Sequence, residues 1–279
     1  LPTRWRSAQA SDHLANPDSR LAPRLYAYLD PQTALTTLHD GLLIFVGPLD
    51  EQITPRLIAQ GRWESHIERA IRRLVGAGDQ VIEVGANVGY YTLIISSLIG
   101  EAGRLDAFEA NPRLARLLRR TISCSGRGAF VNVHEQLVAD RPGVMKFYVC
   151  DRFGGAGNVW ENGWGMGQGT EVIERDAVRL DDMFAGRAVD FIRTDTEGAE
   201  LLILNGAMAL LQRSKAVKLC VEWSVRMMSA RGDVSGLVGA LDSMGFRFWR
   251  IDISGLIPVD AGALLTAPDC ELVIARSIE

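Results

Sequence analysis

No stretch of this 279-residue chain approaches the roughly 18 to 20 consecutive apolar residues that a membrane-spanning helix needs. The first residues, Leu1-Pro2-Thr3-Arg4-Trp5-Arg6, lack the apolar core of a secretion signal and begin without Met. The expectation is a trimmed or excised chain that works in the cytoplasm. Basic blocks are missing too. The 30 Lys and Arg are interspersed with 34 Asp and Glu, the net charge is -4, and no nucleic-acid partner is indicated. The four cysteines, Cys124, Cys150, Cys220 and Cys270, form no C-x-x-C pair. They read as free thiols in a reducing compartment rather than as a zinc site. Internal repeats and low-complexity tracts are absent. What is present is 47% hydrophobic, enough for one large α/β domain with a sizeable core. A homo-oligomer is left open.

The chain is organised around Gln80-Val81-Ile82-Glu83-Val84-Gly85-Ala86-Asn87-Val88-Gly89-Tyr90-Tyr91-Thr92. This reads as an apolar strand, a glycine turn and the start of a helix. Such a turn holds an anionic ligand group at the helix N-terminus. A dinucleotide fingerprint needs G-x-G-x-x-G, but Asn87 stands where the middle glycine would let backbone approach a pyrophosphate. That argues against NAD or FAD and for a smaller anion, such as the carboxylate of a methionine moiety.

Upstream, residues 1–30 are polar and punctuated by Pro17 and Pro23, which predicts a surface arm. Strands at 34–39 and 42–47 flank Asp40-Gly41, a hairpin signal. Helices follow at 52–60 and 63–75, the second with Ile67, Ile71, Leu74 and Val75 at helical spacing. Trp63 reads as a core plug. Downstream, strands are expected at 81–84, 104–109, 130–137, 144–149, 171–178, 189–194, 217–223, 246–251 and 271–275. Helices are expected at 88–98, 112–123 (capped by Asn111), 180–184, 200–211 and 235–244. The alternation argues a parallel sheet with right-handed crossovers. Residues 153–169 break it: seven glycines and two tryptophans without periodicity predict a substrate-binding or gating loop.

Ligands of open α/β sheets sit beyond the carboxyl ends of the strands. Here those ends carry acids: Glu83, then Glu109, then Asp195 with Glu197 and Glu200, then Glu222 beside Trp223. Three blocks resemble S-adenosylmethionine-dependent methyltransferases of the FkbM group. They are Glu83-Val84-Gly85-Ala86-Asn87-Val88-Gly89-Tyr90-Tyr91-Thr92, then Ala107-Phe108-Glu109-Ala110-Asn111-Pro112, then Asp190-Phe191-Ile192-Arg193-Thr194-Asp195-Thr196-Glu197-Gly198-Ala199-Glu200. Gly61-Arg62-Trp63-Glu64 also resembles a segment that precedes the first block in that group.

The resemblance implies a Rossmann-like seven-stranded methyltransferase sheet with helices on both faces over residues 63–279. An N-terminal arm, hairpin and short helix would fill residues 1–62. It implies S-adenosyl-L-methionine as cofactor, S-adenosyl-L-homocysteine as product, and a small-molecule or glycan hydroxyl as acceptor. Glu83, Gly85, Asn87, Gly89, Tyr91 and Asn111 would surround the methionine and ribose ends, with Glu109 accepting the ribose hydroxyls. Gln136 and Leu137 would meet the adenine. Asp195 would face the cofactor or the acceptor, with Glu197 and Glu222 as further candidates for the base. His134 has a near-neutral pKa by type, yet reads better as a packing residue. Trp223 would wall the acceptor site. No metal site is assigned: a Mg²⁺ ion on Asp195, Glu197 and Glu222 is the less expected variant, since no D-x-D-x-D loop is present. N-methylation, a nicotinamide oxidoreductase and a non-catalytic cofactor-binding module are the alternatives.

Overall fold

The computed structural model describes residues 25–150, 152, 157 and 170–278. The expected arm, up to residue 24, and almost all of the 153–169 loop lie outside the described residues.

A three-stranded antiparallel sheet comes first: β1 (Tyr26–Asp30), β2 (Thr33–Thr37) and β3 (Leu43–Val46). The Asp40-Gly41 turn joins β2 to β3 with Gly41 at φ 86°, a backbone conformation that glycine adopts freely. β1 corrects the reading of residues 26–30 as arm: they pair with β2. α1 (Ile53–Gln60) and α2 (Ser65–Leu74) lead into the large sheet.

That sheet is built from β4 (Gln80–Val84), β5 (Arg104–Phe108) and β6 (Val131–His134), linked through α3 (Tyr90–Ile99) and α4 (Pro112–Cys124). Asn111 caps α4, its side chain accepting from the Arg113 N–H, and Pro112 needs no donor there. The chain then leaves for a small sheet of β7 (Leu137–Val138), β8 (Gly143–Cys150) and β9 (Thr170–Val178). The single strand expected at 130–137 is therefore two strands in different sheets.

α5 (Leu180–Met183) leads to β10 (Phe191–Thr194), α6 (Glu200–Asn205) and α7 (Met208–Arg213). The one helix expected at 200–211 is broken. Gly206 passes against the Ala139 carbonyl, leaving no room for a side chain, and its own carbonyl accepts the Asp181 N–H. The Asp181 carboxylate then accepts from the Ala209 and Leu210 N–H groups and starts α7. β11 (Lys218–Trp223), α8 (Val225–Ser229), α9 (Val234–Ser243), β12 (Arg247–Asp252), β13 (Gly255–Val259) and β14 (Cys270–Ala275) complete the chain. The sequence reading missed α8 and β13.

The order in the large sheet is β13-β12-β14-β11-β10-β4-β5-β6. Seven strands form the expected sheet, and β13 extends its edge as a hairpin with β12. β14 runs antiparallel between β11 and β12. Helices cover both faces. On one, Ile71, Leu93, Ile95 and Leu117 pack with Val81, Phe191 and Cys220. On the other, Leu204, Leu211, Leu237 and Leu241 pack with Ile82, Ile192 and Trp223. Ala34, Ile44 and Leu57 from the N-terminal elements belong to the first of these cores. From β4 the chain winds outward in one direction through β5 and β6, and in the other through β10 and β11. The crevice between β4 and β10 is thus the topological switch point. No helix among the described residues is long and apolar enough to cross a membrane.

Candidate active site

At that crevice a cleft of about 560 Å³ opens at the carboxyl ends of β4, β5 and β10. Its apolar lining is Phe108, Leu137, Val138, Phe147 and Ile203, and its lining also brings together Gly85, Asn87, Glu109, Gln136, Asp195 and Thr196. Residues from blocks more than 100 positions apart in sequence meet there because adjacent parallel strands end at one edge.

The glycine turn is tied down by the protein itself. Gly85 and Ala86 donate to the Phe108 carbonyl, Asn87 to Glu109 Oε2 at 2.7 Å, Val88 to its neighbour Asn87 Oδ1, and Gly89 to the Ala86 carbonyl. Five successive N–H groups are therefore engaged. The glycines serve packing: a side chain at Gly85 would strike the Asp195 carbonyl, and one at Gly89 would come within 2.6 Å of Leu118.

Glu109 is buried and joins two loops, Oε2 accepting from Asn87 and Oε1 from the Asn111 N–H at 2.8 Å. Each oxygen keeps a further lone pair for a ligand. Burial outweighs these bonds and pushes its carboxyl up to about 7. Asn111 also borders a second cleft, of about 590 Å³, between α4 and the segment after β3; Asn87 borders both.

Glu83 is wholly buried one residue before the cleft. Its Oε2 accepts from Thr92 at 2.6 Å, while Oε1 has no hydrogen-bond partner and lies 3.7 Å from Arg193 Nη1. Burial again dominates, and the carboxyl is pushed up to about 7 against the pull of Arg193. Tyr91 is buried behind the turn, its ring beneath the Arg193 guanidinium at 4.0 Å and its hydroxyl donating to Glu64 at 3.4 Å.

Asp195 sits just beyond β10, with its side chain about a third exposed, and Oδ2 accepts from Arg193 Nη2 at 2.6 Å. Glu197 follows in a left-handed conformation, φ 53°, and its N–H donates to Glu222 Oε2 at 3.1 Å. Burial first, then Asp195, pushes Glu197 up to about 8. The same two causes hold Glu222 well above the carboxylate range.

Three participants escaped the sequence reading. Glu64, at the start of α2 with φ 42°, is pushed up to about 7 by burial and then by Asp195. Glu271 lies directly opposite Glu222 in the β11–β14 register and is also held well above its usual range, chiefly by burial. Arg193 is the third. A charged residue inside the short apolar strand Phe191-Ile192-Arg193-Thr194 was the available signal, since a central parallel strand is buried on both faces.

Two aromatic expectations resolve differently. His134 packs at the sheet edge, its Nε2 2.8 Å from Asp106 Oδ1 and its ring stacked on Phe108. Trp223 does not wall a site. It is fully buried in the second core and donates from Nε1 to the Leu264 carbonyl, because alternation along β11 sends it to the face opposite Glu222. Trp63 packs partly buried against the first core. Among the described residues no group of three or more His, Cys, Asp or Glu is arranged to hold a metal ion, and all four cysteines are free.

Three of the solved structures similar to this chain are distant in sequence. A putative rRNA methylase from Clostridium thermocellum is 15% identical over 77% of this chain and 95% of that one, with a TM-score of 0.47. A SAM-dependent O-methyltransferase from Thermotoga maritima is 12% identical over 90% and 95%, with a TM-score of 0.45. Fibrillarin from Aeropyrum pernix, in complex with S-adenosyl-L-methionine, is 13% identical over 90% and 97%, with a TM-score of 0.43. No curated protein matches the chain. The methyltransferase FkbM domain, in contrast, matches residues 83–248, a span that holds the glycine turn, Glu109, Asp195 and Glu222, and with more than half its length inside that match the chain belongs to the FkbM methyltransferase family.

Proposed function

We propose that this methyltransferase binds S-adenosylmethionine in the β4–β5–β10 cleft and methylates a hydroxyl of a sugar, glycan or natural-product acceptor. The observation that carries the reading is the meeting of Glu109, Asp195 and the glycine turn in a cleft that Phe108, Leu137, Val138, Phe147 and Ile203 also line. That mixed lining suits a nucleoside whose ribose and amino-acid parts are polar. When bound, the cofactor supplies a methyl group on a positively charged sulfur.

The chain's own residues would then divide the work. Glu109 accepts the ribose hydroxyls with its remaining lone pairs. Phe108, Leu137, Val138 and Phe147 enclose the base, beside Gln136. Gly85 and Asn87 border the methionine end, and Asp195 offers negative charge to it. The acceptor approaches from the half-buried acids on the Arg193 side of the sheet. Burial and Asp195 raise Glu197 to about 8 and hold Glu222 well above the carboxylate range, so the ionised form of either is a stronger base than an ordinary carboxylate and takes the hydroxyl proton. Holding acceptor and methyl in line supplies much of the acceleration.

Incubation with methyl-labelled S-adenosylmethionine and a panel of sugars, glycans, phenols and amines tests this. Label on oxygen supports the reading. Label confined to nitrogen converts it to N-methylation, and cofactor binding without transfer to any acceptor favours a non-catalytic module.

A further inference from the structure

Arg193 is a buried cation among the acids of the carboxyl edge, with 3% of its surface accessible. Three elements grip it. Glu83 on β4 lies 3.7 Å from Nη1, the Tyr91 ring on α3 lies under the guanidinium at 4.0 Å, and Asp195 Oδ2 accepts from Nη2 at 2.6 Å. Burial alone would lower its pKa. Asp195, Tyr91 and Glu83 together reverse that and hold it above its ordinary value. A planar fork clamped at three points has a fixed position and a fixed rotation, which a flexible ammonium would not have.

Asp195 has two oxygens and lines the cleft. With Oδ2 held inside the sheet, Oδ1 is the one left to the cleft. We propose that Arg193 is a positioning residue for the cofactor, fixing the Asp195 carboxylate so that Oδ1 faces the cationic methionine end of S-adenosylmethionine. This rests on the function proposed above. The competing role is a plain core cation that neutralises Glu83. A plain core cation has no need to be coupled to Asp195, so coupling separates the two.

Calorimetric dissociation constants for S-adenosylmethionine and S-adenosylhomocysteine are measured on the wild type, Arg193→Lys, Asp195→Asn and the double variant. Lysine keeps the charge beside Glu83 and loses the fork. Each single change is expected to weaken both ligands at least tenfold, and the double variant to bind no more weakly than Asp195→Asn alone. Unchanged binding in Arg193→Lys, or losses that multiply in the double variant, would overturn the proposal. If Arg193→Lys does not fold, Arg193→Met with Glu83→Gln removes the cation and its buried acid together and takes its place with the same expected non-additivity. A wild type that binds neither adenosyl ligand removes the underlying function instead, a different result from a binding wild type with an unaffected Arg193→Lys.

Discussion

Strands β10, β11 and β14 send alternate side chains to two faces whose chemistry differs at the carboxyl edge. Toward α6, α7 and α9 they present Ile192, Val221, Trp223, Leu272 and Ile274, all buried and apolar. Toward α2 and α3 they present the apolar Phe191, Cys220 and Val273 deeper in the sheet, and Arg193, Glu222 and Glu271 at its edge, joined by Glu83 from β4 in register with Arg193. The same backbone therefore carries a dry face and one that is charged at its edge. Like charges directly opposite across a ladder are unfavourable, and burial, then Asp195, holds both Glu222 and Glu271 well above the usual carboxylate range. The dry face holds the fold by excluding water, which pH does not alter. The charged face stores ionisations that shift with pH and with a bound cation, and the proposed chemistry is placed there.

The largest expected effect is on the dry face. Trp223→Ala removes a fully buried indole and its bond to Leu264, at a cost of about 3–5 kcal/mol. Urea unfolding at pH 5.5 and pH 8 should give the same loss; a pH-dependent loss breaks the comparison. Arg193→Met comes next, about 3 kcal/mol at pH 8, where it strands an ionised Glu83 in the core. The loss should shrink at pH 5.5, because burial keeps the Glu83 carboxyl up at about 7 and it is then neutral. An equal loss at both pH values would make Arg193 a packing residue only.

Glu222→Gln should lower kcat roughly a hundredfold with cofactor affinity within about twofold. A matching fall in affinity would place Glu222 on the cofactor instead. The smallest effect belongs to the unaltered, ligand-free protein. Glu64, Glu83 and Glu109 are raised to about 7 and Glu197 to about 8 from a usual 4.5. Groups raised in the fold stabilise it below their unfolded value and lose that contribution as pH rises through the folded one. Tm should therefore fall between pH 5 and pH 8. A flat profile would mean that these acids are already ionised in the fold.

The alternation of strands and helices was legible because apolar runs, Pro112 and the caps are local signals. Glu83, Glu109 and Asp195 were legible because each ends a strand, and strand ends in such a sheet meet. What escaped depends on pairing. Glu271 becomes a neighbour of Glu222 only through the antiparallel register of β14, which no local pattern states. Trp223 was misplaced because its face follows from the phase of β11, not from its type. The close packing around the turn's glycines escaped as well, because their neighbours, Asp195 and Leu118, lie on other elements. Arg193 was visible as an odd charge, but its three partners come from tertiary packing.

The account stands most directly on what the β4–β5–β10 cleft binds. Calorimetric titration of the intact chain with S-adenosylmethionine, S-adenosylhomocysteine and NAD, at pH 6 and pH 8, measures this. The expected result is binding of both adenosyl ligands, tighter S-adenosylmethionine binding at pH 8, and proton release on binding as neutral acids ionise beside a cation. NAD binding more tightly than both, or a cleft that binds no adenosyl ligand, would contradict it.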